Sequence, residues 1–184
     1  YNGKTLEDFV KANGYPNTLD GGIQAIIDLQ LKGGFLAIYH EMDEQDVMAI
    51  LKYPYSMIET DGDLIQPGGV FPHPRSYGSF PRVIARYVRE LKVLTLEEAI
   101  KKMTSMPADQ IGQSERGRIV EGAFADLIVF DENKFQDKAT YTNSKQFAVG
   151  IEQMLINGEF VIEDFKFTGK TPGQWLKRST HLRQ

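Results

Sequence analysis

Hydrophobic and polar positions alternate along this chain in two different rhythms, and the change between them comes near residue 113. In the first part the period is helical. Residues 6–12 read as a helix, as do residues 23–31, where Ile23, Ile26, Ile27 and Gln30 recur at helical spacing. Gly33 and Gly34 stop the second helix after a loop over 14–22 has separated the two. Residues 35–39 form a short, continuous apolar run, the pattern of a strand buried on both faces of a parallel sheet. Asp43 is placed as the N-cap of a helix that runs through Leu51 and ends before Pro54. Residues 56–59 read as the next strand, so 33–62 has the strand–helix–strand order of a parallel α/β unit.

A long loop rich in Gly and Pro then spans 61–79, and loops of that length inside a compact domain carry function or move. Pro81 suits the first position of a following helix whose apolar stripe is Val83, Ile84, Tyr87, Val88 and Leu91. Thr95 and Glu98 form a capping-box pair for another helix, with Leu96, Ala99, Ile100 and Met103 inward. The adjoining Lys101 and Lys102 read most simply as a solvated helix face, and 103–112 as a turn and short helix. Beyond residue 113 the apolar runs at 119–120, 127–130 and 154–162 are strand-like. A turn is expected at Gly122, and Asn157-Gly158 is a strong hairpin signal. Phe124, Phe130, Phe160, Phe165 and Phe167 fall in or beside these strands, as fillers of a β core or of an interface; Trp175 lies in a tail placed to dock back on the first part.

Composition narrows the class. Of the 184 residues, 41% are hydrophobic and 25% charged, which describes an ordinary globular protein. A net charge of −4 with scattered Lys and Arg argues against nucleic acid as the main partner, and no run has the length of a membrane span. Without cysteine there is neither a disulfide framework nor thiol chemistry, and a cytoplasmic location is the default expectation. The chain opens at Tyr1 directly in helix-like sequence, which suggests a fragment of a longer polypeptide.

The candidate chemistry centres on Asp61 and Arg75. The apolar run Met57-Ile58-Glu59 leads into Thr60-Asp61-Gly62, delivering a carboxylate to a strand end, and Arg75 follows within the Gly/Pro-rich loop. Strand ends feeding loops are where α/β proteins place their sites. An aspartate there suits proton transfer or a metal, and an arginine suits two-point capture of a carboxylate. A plain Asp-Gly turn and a surface arginine are the alternatives that the residues alone leave open. His73 and Tyr77 flank Arg75, and His40 follows the first apolar run; each is compatible with a pocket or with a structural role.

Thr60-Asp61-Gly62, the run from His73-Pro74-Arg75 to Pro81-Arg82, the segment 117–131 (GRIVEGAFADLIVFD) and the tail motifs 155–161 and 168–173 together resemble the C-terminal part of an N-acyl-D-amino-acid deacylase, or D-aminoacylase, of the amidohydrolase superfamily. The resemblance implies an α/β fold: residues 1–112 as the last βα units of a (β/α)8 metal-dependent hydrolase barrel with its active-site loop, and residues 113–184 as part of a small β-sandwich-like domain completed by N-terminal strands. It implies hydrolysis of N-acyl-D-amino acids to a carboxylate and a D-amino acid. In that reading Asp61 binds metal and shuttles the proton, and Arg75 grips the substrate carboxylate with His73 and Tyr77 beside it.

The cofactor so implied is zinc, one or two ions in the full-length enzyme. This chain, with three histidines well apart (His40, His73 and His181) and no His-x-His pair, is expected to hold no complete centre and to be inactive alone. The expected partners are the small N-acyl-D-amino acid, the missing N-terminal part of the same enzyme, and further copies of the fragment through uncovered apolar surface, with neither nucleic acid nor membrane among them. Thr60 stands where the family commonly has serine. The alternatives are another amidohydrolase, dihydroorotase-like or dipeptidase-like, and a non-catalytic binding or assembly module built on the same scaffold.

Overall fold

A computed structural model describes residues 3–65 and 71–177. Residues 66–70 of the Gly/Pro-rich loop, and His181, lie outside the described residues. The architecture is α/β, with six α-helices and one π-helix preceding a four-stranded antiparallel sheet among the described residues.

The local signals explain most helix ends. Helix α1 (Leu6–Ala12) starts at Thr5, whose hydroxyl accepts from Asp8 N–H while the Asp8 carboxylate accepts from Thr5 N–H. Helix α2 (Leu19–Leu31) begins four residues before Ile23, because Thr18 caps it, and it ends at Gly33 and Gly34, both at positive φ. Helix α3 (Glu44–Lys52) is capped by Asp43, which accepts from Gln45 N–H at 2.7 Å. Helix α5 (Leu96–Met103) carries the Thr95/Glu98 capping box, and α6 (Ser105–Gln110) follows it directly.

Four expectations are corrected. The runs 35–39 and 56–59 form no ladder, so only the helix of the expected strand–helix–strand unit is present. A strand exists only when a neighbour takes up its backbone groups. Here Leu36 and Tyr39 face solvent, and Ile58 N–H donates instead to the Lys102 carbonyl at the end of α5. Residues 119–120 likewise form no strand, with Ile119 exposed, although the turn at Gly122 is there. Pro81 does not open a helix: α4 (Arg75–Arg82) already starts within the expected loop and holds Pro81 inside it. Proline has no N–H to donate and its ring crowds the preceding turn. The chain continues as a π-helix (Val83–Glu90), closed by Leu91 N–H donating five residues back to Arg86 O. Lys102 is not solvated. It is 5% exposed, and its ammonium donates to Tyr53 O, Ser56 O and Ser56 Oγ at 2.5, 2.9 and 3.0 Å.

Strands β1 (Leu127–Phe130), β2 (Ile151–Ile156), β3 (Glu159–Glu163) and β4 (Lys166–Phe167) pair in sequence order. Asn157 and Gly158, at φ 51° and 82°, form the two-residue turn between β2 and β3. The core lies where the helices meet this sheet. Val83, Ile84 and Val88 of the π-helix, Leu94, Ala99 and Phe135 are buried together, with Ile58, Phe130 and Ile151 packed against them. Leu91 at the end of the expected stripe stays outside. Of the five β-region phenylalanines, Phe130 joins the core, whereas Phe165 and Phe167 are exposed. The tail docks through its backbone, with Asn157 Nδ2 donating to Pro172 O and Gln113 Nε2 to Lys177 O, while Trp175 points to solvent.

Candidate active site

Asp61 sits at the end of a bracketed segment. Lys102 holds Ser56, the Lys102 carbonyl holds Ile58, and Ile58 packs on the core, so the chain reaches Glu59 already positioned. Glu59 Oε2 then accepts from Asp61 N–H at 2.7 Å, and Thr60 Oγ1 from Gly62 N–H at 3.1 Å. These side-chain bonds turn the backbone sharply, with Asp61 at φ 44° in the left-handed region, which aspartate tolerates better than most residues. Gly62 is needed because a Cβ there would lie 2.9 Å from Ser76 Cα. Its absence lets the turn close on the first turn of α4, where Ser76 Oγ accepts from Asp63 N–H.

That closure brings the two charged groups together. Arg75 Nη2 lies 2.6 Å from Asp61 Oδ2, both side chains being accessible to solvent. His73 Nδ1 accepts from Arg75 N–H at 3.0 Å, which leaves the ring proton of neutral His73 on Nε2. Burial pushes the His73 pKa down from its ordinary value; the Arg75 and His40 charges act the same way and Asp61 opposes them. Tyr77 lies in the first turn of α4, with its ring 5.6 Å from that of Phe147. His40 and His73 meet at Tyr141, whose ring is 4.5 Å from His40 and 5.5 Å from His73, and Asp61 lies near enough to act on the charge of His73.

The sequence did not point to Tyr141, Glu59 or Ser76. The last two lie beside Asp61 and Arg75 in the chain, whereas Tyr141 comes from a distant polar connection and only folding delivers it.

 Tyr141 stands far along the chain from His73, whose ring it meets, so no local pattern links the two. The one available signal is an aromatic residue in an otherwise polar stretch, Thr140-Tyr141-Thr142-Asn143.

Among the described residues no group of three or more His, Cys, Asp or Glu converges to hold a metal ion. The donor set at Asp61 is one carboxylate bonded to a guanidinium, and by itself it falls short of the three or four ligands a zinc ion takes. What the arrangement can do unaided is accept a proton at Asp61 and offer a planar cation at Arg75.

Residues 36–162, which contain the whole arrangement, match the model of the Amidohydrolase family. The chain belongs to that family. This amidohydrolase chain is 42% identical over 146 residues to the N-acyl-D-glutamate deacylase of Alcaligenes xylosoxydans xylosoxydans, a match covering 79% of the chain and 29% of the relative. It superposes on the crystal structure of a D-aminoacylase with a TM-score of 0.75 at 38% identity, over 90% of this chain and 32% of that one. On an N-acyl-D-glutamate deacylase from Bordetella bronchiseptica, complexed with zinc and a phosphonate mimic of the tetrahedral intermediate, the TM-score is 0.73 at 39% identity, over 86% and 31% of the two chains. The amidohydrolase chain therefore spans about 29% of the length of the curated relative. None of its described helices is long and apolar enough to cross a membrane.

Proposed function

We propose that this amidohydrolase chain forms part of a zinc-dependent enzyme that hydrolyses N-acyl-D-amino acids to a carboxylate and a free D-amino acid. The observation that carries the reading is the meeting of Asp61 and Arg75 at 2.6 Å, inside the segment that matches the family. Arg75 holds the α-carboxylate of the substrate, since its planar fork fits a carboxylate through two parallel hydrogen bonds. Asp61 takes a proton from the attacking water as its oxygen bonds to the amide carbon. The same carboxyl group then delivers that proton to the nitrogen as the C–N bond breaks. His73 and Tyr77 line the carboxylate side. Asp61 is also the ligand that the described residues offer to the zinc, the remaining ligands coming from elsewhere in the enzyme.

In this reading residues 1–112 contribute the last βα units of a (β/α)8 barrel, and residues 113–184 contribute to a small β-sandwich-like domain. The rest of the same enzyme is the chain's first partner, and the chain alone is inactive. The unpaired apolar runs at 35–39 and 56–59, and the exposed Leu19, Leu31 and Leu36, support a missing neighbour.

The test joins these 184 residues to the portion of the Alcaligenes N-acyl-D-glutamate deacylase that the match leaves out. The joined enzyme is expected to hydrolyse N-acetyl-D-amino acids and to spare the L-isomers, while the 184-residue chain with added zinc shows no turnover. Asp61→Asn should lower kcat by about 10²–10⁴, the usual worth of a general acid–base group. Arg75→Lys should raise KM and lower kcat/KM. Cleavage of dihydroorotate without cleavage of N-acetyl-D-amino acids would replace the proposal with a cyclic amidohydrolase.

A further inference from the structure

Helix α4 carries Arg75, and two different segments hold it. On one side stand Asp61, Gly62 and Asp63, against Arg75 and Ser76. On the other lies the connection 137–148, closed at its base by the Gln136–Val149 bridge. This strap touches α4 and its lead-in at every turn. Tyr141 meets His73, Phe147 meets Tyr77, Asp137 Cβ leaves no room for a Cβ on Gly78, and Arg82 pairs with Asp137 at 3.3 Å. Residues 73 and 77 are four apart, as are 78 and 82, so the strap runs along two adjacent rows of α4 and its lead-in.

We propose that Tyr141 is a positioning residue: set between His40 and His73, it holds His73 at the N-terminus of α4 and thereby fixes Arg75. The geometry gives the route. The Tyr141 ring meets His40 at an interplanar angle of 69° and His73 at 90°, edge-to-face arrangements in which a ring edge is drawn to a π-face. His73 Nδ1 in turn accepts the N–H of Arg75, the first residue of the helix. That bond matters more than usual because Pro74 at the N-cap supplies no side-chain acceptor. Release of the His73 ring therefore frees the backbone of Arg75, and the guanidinium moves with it.

The role of Tyr141 in substrate binding rests on the reading of Arg75 as the carboxylate binder; its hold on Arg75 does not. Amide hydrogen exchange on the 184-residue chain decides the latter. Two ring contacts together are worth about a tenfold change, so Tyr141→Leu should speed exchange at Arg75 N–H about tenfold. Tyr141→Phe, which keeps the ring, should restore the protection. Glu98 N–H, bonded to Thr95 at the start of α5, serves as the control and should not change in either variant. Unchanged exchange at Arg75 in Tyr141→Leu would overturn the proposal, as would equal acceleration at Arg75 and Glu98.

The substrate arm uses the joined enzyme and N-acetyl-D-glutamate. There Tyr141→Leu should raise KM several-fold with kcat little changed, and Tyr141→Phe should behave as the parent. If Arg75 loosens and KM stays the same, the positioning role stands and Arg75 is not the carboxylate binder.

Discussion

Replacement of Lys102 by methionine tests whether the approach to Asp61 is held by a buried ammonium. Methionine keeps the length and apolar stem of lysine and removes the three donors. Hydrogen bonds involving a charged group contribute about 1.5–3 kcal/mol each to stability. Part of that is recovered in the variant. Tyr53 is 58% exposed, so water can reach its carbonyl, and Ser56 Oγ still donates to Ile50 O or Tyr53 O. The ammonium's own desolvation, several kcal/mol in a dry site, also disappears. The part not recovered is the Ser56 carbonyl, which loses its donor at 2.9 Å, together with some of the bond to Tyr53. A net loss of about 2 kcal/mol follows, close to one lost charged bond. With a urea slope of about 2 kcal/mol/M, the midpoint should fall by roughly 1 M. Far-UV circular dichroism during urea titration measures it. Lys102→Ala should lose more, because it also leaves a void where the buried lysine stem was. A midpoint unchanged for Lys102→Met would show that the ammonium is solvated and that the bracket on Ser56 is not a source of stability.

Three further outcomes follow from the same geometry. The lowered pKa of His73 means that the unfolded chain binds a proton more readily, so stability should fall as pH drops from about 6.5 through the folded-state value. His73→Gln should flatten that part of the urea-midpoint profile; an unchanged profile would mean that His73 is not the titrating group. Gly150 sits at φ +92° with the position of a Cβ only 2.5 Å from Phe135 N, so Gly150→Ala should cost at least ~2 kcal/mol, and a thermal melt equal to that of the parent would contradict the geometry. The exposed Leu19, Leu31, Leu36 and Leu64 should drive self-association of the isolated chain, which light scattering would refute by finding a compact monomer that binds no apolar dye.

Legibility along the chain follows the range of the forces. Helix ends were readable because a cap is a contact over three or four residues: Thr5 with Asp8, Asp43 with Gln45, and Thr95 with Glu98. The Asn157-Gly158 hairpin was readable for the same reason, since two residues at positive φ define the turn. The apolar runs at 35–39 and 56–59 were misread as strands because a strand is defined by its neighbour, and apolarity shows only that a run can be buried. Lys102 was misread because one polar residue among helical charges looks solvated until the carbonyls that surround it are known.

The candidate site divides in the same way. By itself the sequence determined which groups were available: a carboxylate after an apolar run, an arginine and histidine in a loop, and the motifs that mark the amidohydrolase family. These are properties of residue type and short spacing. Only the tertiary structure decided that Asp61 turns back onto Arg75 through the space left by Gly62, and that Tyr141 closes on His73 from far along the chain. Such contacts depend on loop closure and core packing, whose energies are set by the arrangement of many residues at once. A pattern of a few neighbours carries no trace of them.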